Sequence, residues 1–401
     1  MKFLMINVVC GIGSTGRICT DLARVLENEG HTVKIAYGRE HVPEDYKKYA
    51  VRIGSDLSVR MDGLKTRLFD DAGFNSQKAT EKFIEWVKEY DPDVIHLHNI
   101  HGYYINVEIL FQYLRTCGKK IIWTLHDCWA FTGHCSHYTF NKCIKWKTGC
   151  LNCKYINEYP KSLFYDNSKK NYNKKLSLFT NIPNLTIVTP SDWLKKQVEM
   201  SFLKNYKIVK INNGIDKQIF KKKNICDINK KFIDLNLGDY INILGVSNVW
   251  NDEKGLSDFI LLANNLDCQY KILLVGNIKR NIKYKLPNNI INFDKTDNIQ
   301  ELVDIYNLSD IFLNLSHQET MGMVCIEAQS CGTPVIVYDD TSLPETVNKK
   351  CGFTCEEGNI NQLISLICTI DKAKITNDCI IFSNNFSKEI NAREYLKIYM
   401  K

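Results

Sequence analysis

The sequence predicts an α/β protein: two Rossmann-like, doubly wound domains that face each other across a central cleft. Three observations carry this. Short apolar runs alternate with amphipathic stretches along most of the 401 residues, the pattern of strands alternating with helices. Several runs are continuous in V, I and L, such as Ile121-Ile122-Trp123-Thr124-Leu125, as in parallel strands covered on both faces. The alternation also restarts after about residue 213, beyond a polar, lysine-rich stretch, and the length suits two to three domains of roughly 150 residues.

Taken in order, residues 3–9 form the first strand. The apolar run at the N-terminus is too short for the core of a signal peptide and leads directly into a glycine loop. A helix is predicted over 16–29, where Ile18, Leu22, Val25 and Leu26 fall on one face. Strands follow at 32–37, 94–97, 120–125, 185–189 and 207–211, with a helix at 80–90. The second set has strands at 241–246, 271–275, 290–293, 311–315 and 334–338, with helices at 255–266, 299–308 and 322–331. The resulting division is an N-terminal domain, 1–213, with a cysteine-rich insert at 126–155; a C-terminal domain, 214–384; and a helix over 385–401 returning to the N-terminal domain. In open sheets of this kind ligands bind outside the carboxyl ends of the strands.

Composition narrows the function classes. An apolar fraction of 44% and a charged fraction of 24% exclude wholesale disorder and a fibre. No run reaches the roughly 18 apolar residues of a membrane span. The 16 cysteines are too sparse for a secreted disulfide scaffold, so a cytoplasmic chain with reduced thiols or metal-bound thiolates is expected. The net charge of +7 conceals an uneven distribution. Residues 141–223 hold 18 Lys, no Arg and five acidic residues, a local +13 that leaves the remainder about 6 negative. Such a block suits an anionic surface, or it is simply a solvated lysine-rich face. Without Arg, the bidentate reader of bases and phosphates, no nucleic-acid partner is expected.

Two motifs carry the chemistry. Gly11-Ile12-Gly13-Ser14-Thr15-Gly16, between a strand and a helix, has the glycine spacing that lets backbone approach an anion at a helix N-terminus. The ribose-binding acid of a dinucleotide site is poorly met by Arg39-Glu40, so a phosphate or sugar neighbour fits better than NAD; a plain tight turn is the alternative. In the second half, Glu319 and Glu327 stand eight positions apart around Gly322-Met323-Val324. The free amides of that turn can hold phosphate oxygens, and carboxylates can accept hydrogen bonds from sugar hydroxyls. Ordinary helix surface is the competing reading.

Glu319…Glu327-Ala328…Cys331-Gly332-Thr333-Pro334-Val335 resembles the nucleotide-sugar signature of family 4 of the retaining glycosyltransferases, which have the GT-B fold. Further matching segments span nearly the whole chain: the glycine loop, Thr124-Leu125-His126-Asp127, Val188-Thr189-Pro190-Ser191, Asn212-Asn213-Gly214-Ile215-Asp216, Lys254-Gly255 and Leu343-Pro344-Glu345. The run from Trp123 to Cys135 is similar to the exopolysaccharide and O-antigen transferases of the colanic-acid type. The resemblance implies a nucleotide-sugar donor, a growing and lipid-linked glycan acceptor, and retaining transfer with no metal cofactor. It implies that Glu319 contacts sugar hydroxyls and that Gly322, Met323 and Val324 offer amides. Glu327 would bind ribose, Lys254 would neutralise the leaving diphosphate, and His126 would stand beside the reacting sugar. Gly13 and Gly16 would let the first loop approach the donor phosphate. The chain departs from the pattern in three places. No Arg lies in Val246–Trp250, so Arg17 is a candidate helper for Lys254; Met321 replaces a Phe; and Ser342-Leu343 replaces a glycine pair. A satisfied strand-end histidine and a surface lysine are the bland readings of His126 and Lys254.

Cys135, Cys143, Cys150 and Cys153, with a C-x2-C pair at the end, have the composition of a tetrahedral structural zinc site; free thiols are the alternative. Cys19, Cys117, Cys325 and Cys331 lie in apolar runs and are expected in the core. Lysines interleaved with Tyr, Trp and Leu at 168–176 and 193–196 suggest an acceptor-side face that lies on an anionic membrane from the cytoplasmic side. The rival functions are a nucleotide-sugar epimerase, a non-catalytic nucleotide-sugar-binding subunit and, more distantly, a Rossmann oxidoreductase.

Overall fold

The computed structural model describes residues 1–233 and 237–400. The chain divides into two compact units, one of Met1–Asn212 with Asn391–Lys401 and one of Asn213–Ile390. The first is built on strands β1 (Lys2–Asn7), β2 (Thr32–Tyr37), β3 (Ala50–Arg52), β4 (Val94–Leu97), β5 (Lys120–Thr124), β6 (Leu185–Thr189) and β7 (Lys207–Lys210). They form one sheet in the order β3-β2-β1-β4-β5-β6-β7, with every pair parallel and Phe3 level with both Val33 and Val94. The second has β8 (Ile241–Val249), β9 (Tyr270–Asn277), β10 (Ile290–Phe293), β11 (Ile311–Asn314), β12 (Val335–Tyr338) and β13 (Gly352–Cys355). Their order is β10-β9-β8-β11-β12-β13, again all parallel. Two parallel, helix-covered sheets of this order are the doubly wound architecture predicted from the continuous apolar runs.

The period-two geometry of strands divides the core of the first unit. Leu4 and Ile6 join one apolar cluster with Ile95, Leu97 and Trp123, while Phe3 and Met5 point to the opposite face with Leu22 and Leu26 of the Gly13–Asn28 helix. That second face is closed by the last helix, Lys388–Tyr399, whose Ala392, Tyr395 and Tyr399 are buried. Tyr395 and Tyr399 also satisfy buried polar groups, reaching Thr124 Oγ1 at 2.8 Å and His96 Nδ1 at 2.7 Å. The first unit takes up the chain again at Asn391, past the expected 385. Up to that point Ile215 bridges Ser387 and Lys388 pairs with Asp216 inside the second unit. Lys401, the end of the predicted 385–401 segment, lies outside the described residues.

Among the described residues no helix is long and apolar enough to cross a membrane. In each sheet the strand order reverses at one point, between β1 and β4 in the first and between β8 and β11 in the second. At these switch points loops on either side diverge and leave room for a ligand.

Candidate functional site

In the first unit the β1 loop and the β4 and β5 ends meet at the switch point. Gly11 and Gly13 have φ of +76° and +61°, and Gly11 N–H donates to Gly16 O at 3.2 Å, closing the turn. Asn7 fastens the loop from below, its Nδ2 donating to Val9 O at 2.8 Å and to Thr15 Oγ1 at 3.2 Å. The glycines differ in role. A Cβ on Gly11 would meet Tyr46 at 2.5 Å and one on Gly16 would meet Val9 at 3.1 Å, while one on Gly13 would meet nothing within 4 Å. Gly11 and Gly16 are therefore needed for packing, and Gly13 leaves open space at a helix start that has no side-chain cap and no acidic residue in its first turn. Arg17, on the same helix, is exposed.

His126 follows β5. Its Nε2 lies 2.9 Å from Nδ1 of His98, which follows β4, and the two rings meet edge to edge in nearly one plane, 10° apart. Burial dominates the His126 ring and lowers it to about 4, with Asp127 opposing and His101 assisting the shift. Next to it, His101 Nε2 lies 2.7 Å from Asp127 Oδ2. Burial acts to raise the Asp127 carboxyl, but His101 and the Trp129 N–H outweigh it and bring it down to about 2.

The insert after Asp127 carries the four clustered cysteines. Cys135, Cys143, Cys150 and Cys153 are free thiols. Among the described residues no group of three or more His, Cys, Asp or Glu side chains is arranged to hold a metal ion. Zinc at these four cysteines is not shown by the arrangement. Burial raises the Cys135 thiol, with Cys153, Cys150 and Cys143 adding to it, and pushes Cys153 up to about 11. The segment is held by packing and buried polar contacts. Phe131, Tyr138 and Trp146 pack together edge-on and tilted, with ring centroids 4.9 to 6.4 Å apart. Lys175 Nζ lies 3.5 Å over the Trp129 ring and donates to Trp129 O at 2.8 Å and Thr132 O at 3.1 Å. Asp70 takes His134 Nδ1 at 2.5 Å and the Asn167 N–H at 2.8 Å. Of the cysteines expected in the core, Cys19, Cys325 and Cys331 are buried and Cys117 is half-buried.

In the second unit a short turn, Asp252–Lys254, follows β8 and is capped by Asn251 Oδ1 accepting from the Lys254 N–H at 3.0 Å. Gly255 comes next with φ +76°. A Cβ there would lie 2.2 Å from the carbonyl of Leu315, so only glycine lets the turn press against the end of β11. This brings Lys254 Nζ to Glu319 Oε1 at 2.7 Å, Gln318 O at 3.1 Å and Ser316 Oγ at 3.4 Å. His317 N–H and Ser316 Oγ both donate to Glu253 O, stitching the two loops together. Gly322, at φ +73°, starts the Met323–Ser330 helix without a side-chain cap. Met323 and Val324 are half-buried at this uncapped start, where their amides belong to the unsatisfied first turn. Glu327, in the second turn, accepts from the buried Tyr306 OH at 2.9 Å.

The structure thus brings Lys254, Glu319 and the Gly322–Val324 turn together at the β8/β11 switch point, and His126, Gly13 and Gly16 to the β1/β4/β5 ends of the other unit. Three positions flagged as unusual find local reasons. Met321 Sδ accepts the Asn213 N–H at 3.1 Å, Ser342 Oγ donates to Glu319 O at 3.1 Å, and Leu343 lies where a Cβ on Gly322 would touch it. Sequence reasoning did not single out Ser316, Tyr306, His98 or His317. His98 had a visible signal in His96-Leu97-His98 at a strand end.

Two parallel sheets with these loops at their switch points define a transferase of GT-B type. Residues 15–219 match the domain described as Glycosyltransferase Family 4 and residues 227–381 the domain described as Glycosyl transferases group 1; the chain belongs to glycosyltransferase family 4. It is 23% identical over 384 residues to the putative colanic acid biosynthesis glycosyl transferase WcaC of Escherichia coli K12, covering 91% of this chain and 90% of that one. It is 24% identical over 350 residues to an uncharacterized protein of the Klebsiella pneumoniae cps region, covering 83% and 86%. In fold it is similar to sucrose-phosphate synthase of Thermosynechococcus elongatus, with TM-score 0.71 at 17% identity over 100% and 98% of the chains. Anabaena HepE, solved with UDP and glucose, gives 0.68 at 15% over 99% and 98%.

Proposed function

We propose that the protein is a retaining glycosyltransferase that moves a sugar from a nucleoside-diphosphate sugar onto a growing, lipid-linked polysaccharide acceptor. The observation that carries this reading is the Lys254–Glu319 pair at 2.7 Å beside the uncapped Gly322 turn. It sets a cation for a leaving diphosphate, a carboxylate for sugar hydroxyls and free amides within one short loop system. Glu327 serves the ribose, its carboxylate oriented by Tyr306. Charge on the leaving group is met electrostatically by Lys254 and the amides, with the glycine loop at Gly13 and the exposed Arg17 as further contributors. In front-side transfer the leaving oxygen takes the acceptor proton, so His126, held neutral by burial, acts as a hydrogen-bonding partner of the transferred sugar rather than as a nucleophile.

The acceptor class is supported by the WcaC and cps-region relatives and by the lysine block. Lys169 and Lys170 are exposed on the Ser168–Phe179 helix and, with Lys174, line a shallow hollow of about 610 Å³. The neighbouring Phe164 and Tyr165 are 71% and 57% exposed. Lys195, Lys210 and Lys174 pair with Glu199, Asp192 and Glu108, so the proposed contact with anionic lipid on the inner face of the cytoplasmic membrane rests on the exposed Lys169 and Lys170 beside Phe164 and Tyr165. The deciding experiment is nucleoside diphosphate release from a panel of UDP-, GDP- and dTDP-sugars, with NMR of the product anomer. Inversion of the anomer, or no release with any donor and glycolipid extract, would overturn the reading.

A further inference from the structure

His98 has no place in the chemistry described so far, yet its surroundings are tightly specified. Its backbone N–H donates to Ile6 O at 2.9 Å and its carbonyl accepts from Trp123 Nε1 at 3.3 Å. Its ring is 4.0 Å from that of His96, centroid to centroid, and meets that of His126 edge to edge with centroids 5.3 Å apart. His96 is engaged at both nitrogens, by Thr124 Oγ1 at 2.8 Å and Tyr399 OH at 2.7 Å. The His98 ring, 1% exposed as a residue, has one described hydrogen bond, from Nδ1 to His126 Nε2 at 2.9 Å, and its Nε2 is buried without a partner among the described residues.

Burial holds both rings neutral, His98 well below the ordinary histidine value with His96 and His126 adding to the effect. Two neutral imidazoles share one proton across such a contact, and the choice is binary. If His126 donates, the one proton of His98 must sit on Nε2, a buried N–H with nothing to receive it. If His98 donates from Nδ1, its Nε2 is a bare lone pair. A buried orphan donor is rarer and costlier than an under-used acceptor, so His98 is the donor. His126 then accepts at Nε2 and carries its own proton on Nδ1.

We propose that His98 is a positioning residue for the transfer: by donating its Nδ1–H to Nε2 of His126 it fixes the tautomer and the ring plane of His126, and so the edge from which His126 donates. The effect of this on turnover rests on the reading that His126 serves the transferred sugar; the tautomer itself does not.

The test uses the full chain with ring-15N histidine and three proteins: wild type, His98→Asn and His98→Leu. Asn places an amide donor near the position of Nδ1, and Leu removes it. Long-range 15N–1H correlation should show His126 protonated at Nδ1 in wild type and His98→Asn, and a mixture of tautomers in His98→Leu. Turnover should fall about tenfold in His98→Leu with the donor KM within about twofold, and return to within about threefold of wild type in His98→Asn. A wild-type His126 protonated at Nε2 overturns the proposal, as does a tautomer that His98→Leu leaves unchanged. If His98→Leu does not fold, the wild-type spectrum and His98→Asn still decide. Full activity in His126→Ala would instead sink the role of His126 and leave the tautomer assignment standing.

Discussion

In the second unit Lys254 and Glu319 meet with about a third and a fifth of their side chains open to solvent. In the first, the His96, His98 and His126 rings lie in mutual contact, with burial the leading influence on each. Both sets of residues sit at the switch point of a parallel sheet. The second unit leaves its ion pair in reach of water and aligned by a short glycine turn. The first keeps its rings neutral and aligned by mutual contact, which works only where water is excluded. On the proposed function, the ion pair would meet the diphosphate and the neutral rings the hydroxyls of the sugar.

The sharpest way to break this contrast is to remove the charge. Lys254→Ala and Glu319→Ala should each lower nucleoside diphosphate release by about 10²-fold or more with little change in the melting temperature. A fall of only a few fold would show that the pair is a surface ion pair of the ordinary, weak kind.

Next is the insert. Lys175 is buried with its ammonium on two carbonyls and the Trp129 ring, and burial lowers it to about 7. Lys175→Ala leaves those carbonyls unpaired and should destabilise the first unit by about 3 kcal/mol, read as a shift of the urea midpoint followed by tryptophan fluorescence. An unchanged midpoint would mean that the aromatic packing alone holds the insert. The glycines give a finer comparison. Gly255→Ala, with backbone 2.2 Å from the added Cβ, should cost more than about 2 kcal/mol. Gly13→Ala, with open space, should cost about 1 kcal/mol from its positive φ alone and raise the donor KM instead.

The smallest effect separates the units by pH. His317 bonds Asp258 at 2.9 Å and Glu357 at 2.5 Å, and these carboxylates, Asp258 first, raise its pKa. A raised histidine stabilises fully below its unfolded value of 6.5, and the contribution is lost as pH climbs from there through the raised value. His126, lowered to about 4, behaves oppositely. Between about 6.5 and 4 the unfolded chain binds the extra proton, so stability of the first unit falls as pH falls. Residue-resolved hydrogen exchange should therefore show the second unit loosening on the alkaline side and the first on the acid side, and His317→Gln should flatten the alkaline arm. Parallel behaviour of both units would contradict these assignments.

How much of this was legible in the sequence depended on whether a residue's partner lay nearby in the chain. The 299–308 helix and the 32–37, 94–97, 185–189 and 290–293 strands were read with the bounds the structure gives, because their apolar spacing mirrors burial directly. The strands β3 and β13 were not, since Ala50-Val51-Arg52 and Gly352-Phe353-Thr354-Cys355 carry no continuous apolar run. The Asp56–Phe69 helix was also missed. It turns Leu57, Met61, Leu64 and Phe69 toward solvent, so its apolar residues do not trace a core-facing stripe. Lys254, Glu319 and Glu327 were legible because a contiguous motif and its glycines encode the turn that aims them. Ser342, 23 positions from Glu319 yet bonded to its carbonyl, was visible only as a departure from a pattern.

By itself the sequence determined the α/β class, the two-part division, the family and the residues of the two loop motifs, since these rest on local periodicity and on glycines whose backbone freedom is a local property. Only the tertiary structure decided that Lys175 is buried on the carbonyls of Trp129 and Thr132, that the last helix supplies Tyr395 and Tyr399 to buried Thr124 and His96, and that His98 and not a carboxylate adjoins Nε2 of His126. Each of these depends on which side chains folding brings together from distant positions and on how completely it removes them from water, and neither quantity is carried by any stretch of the chain alone.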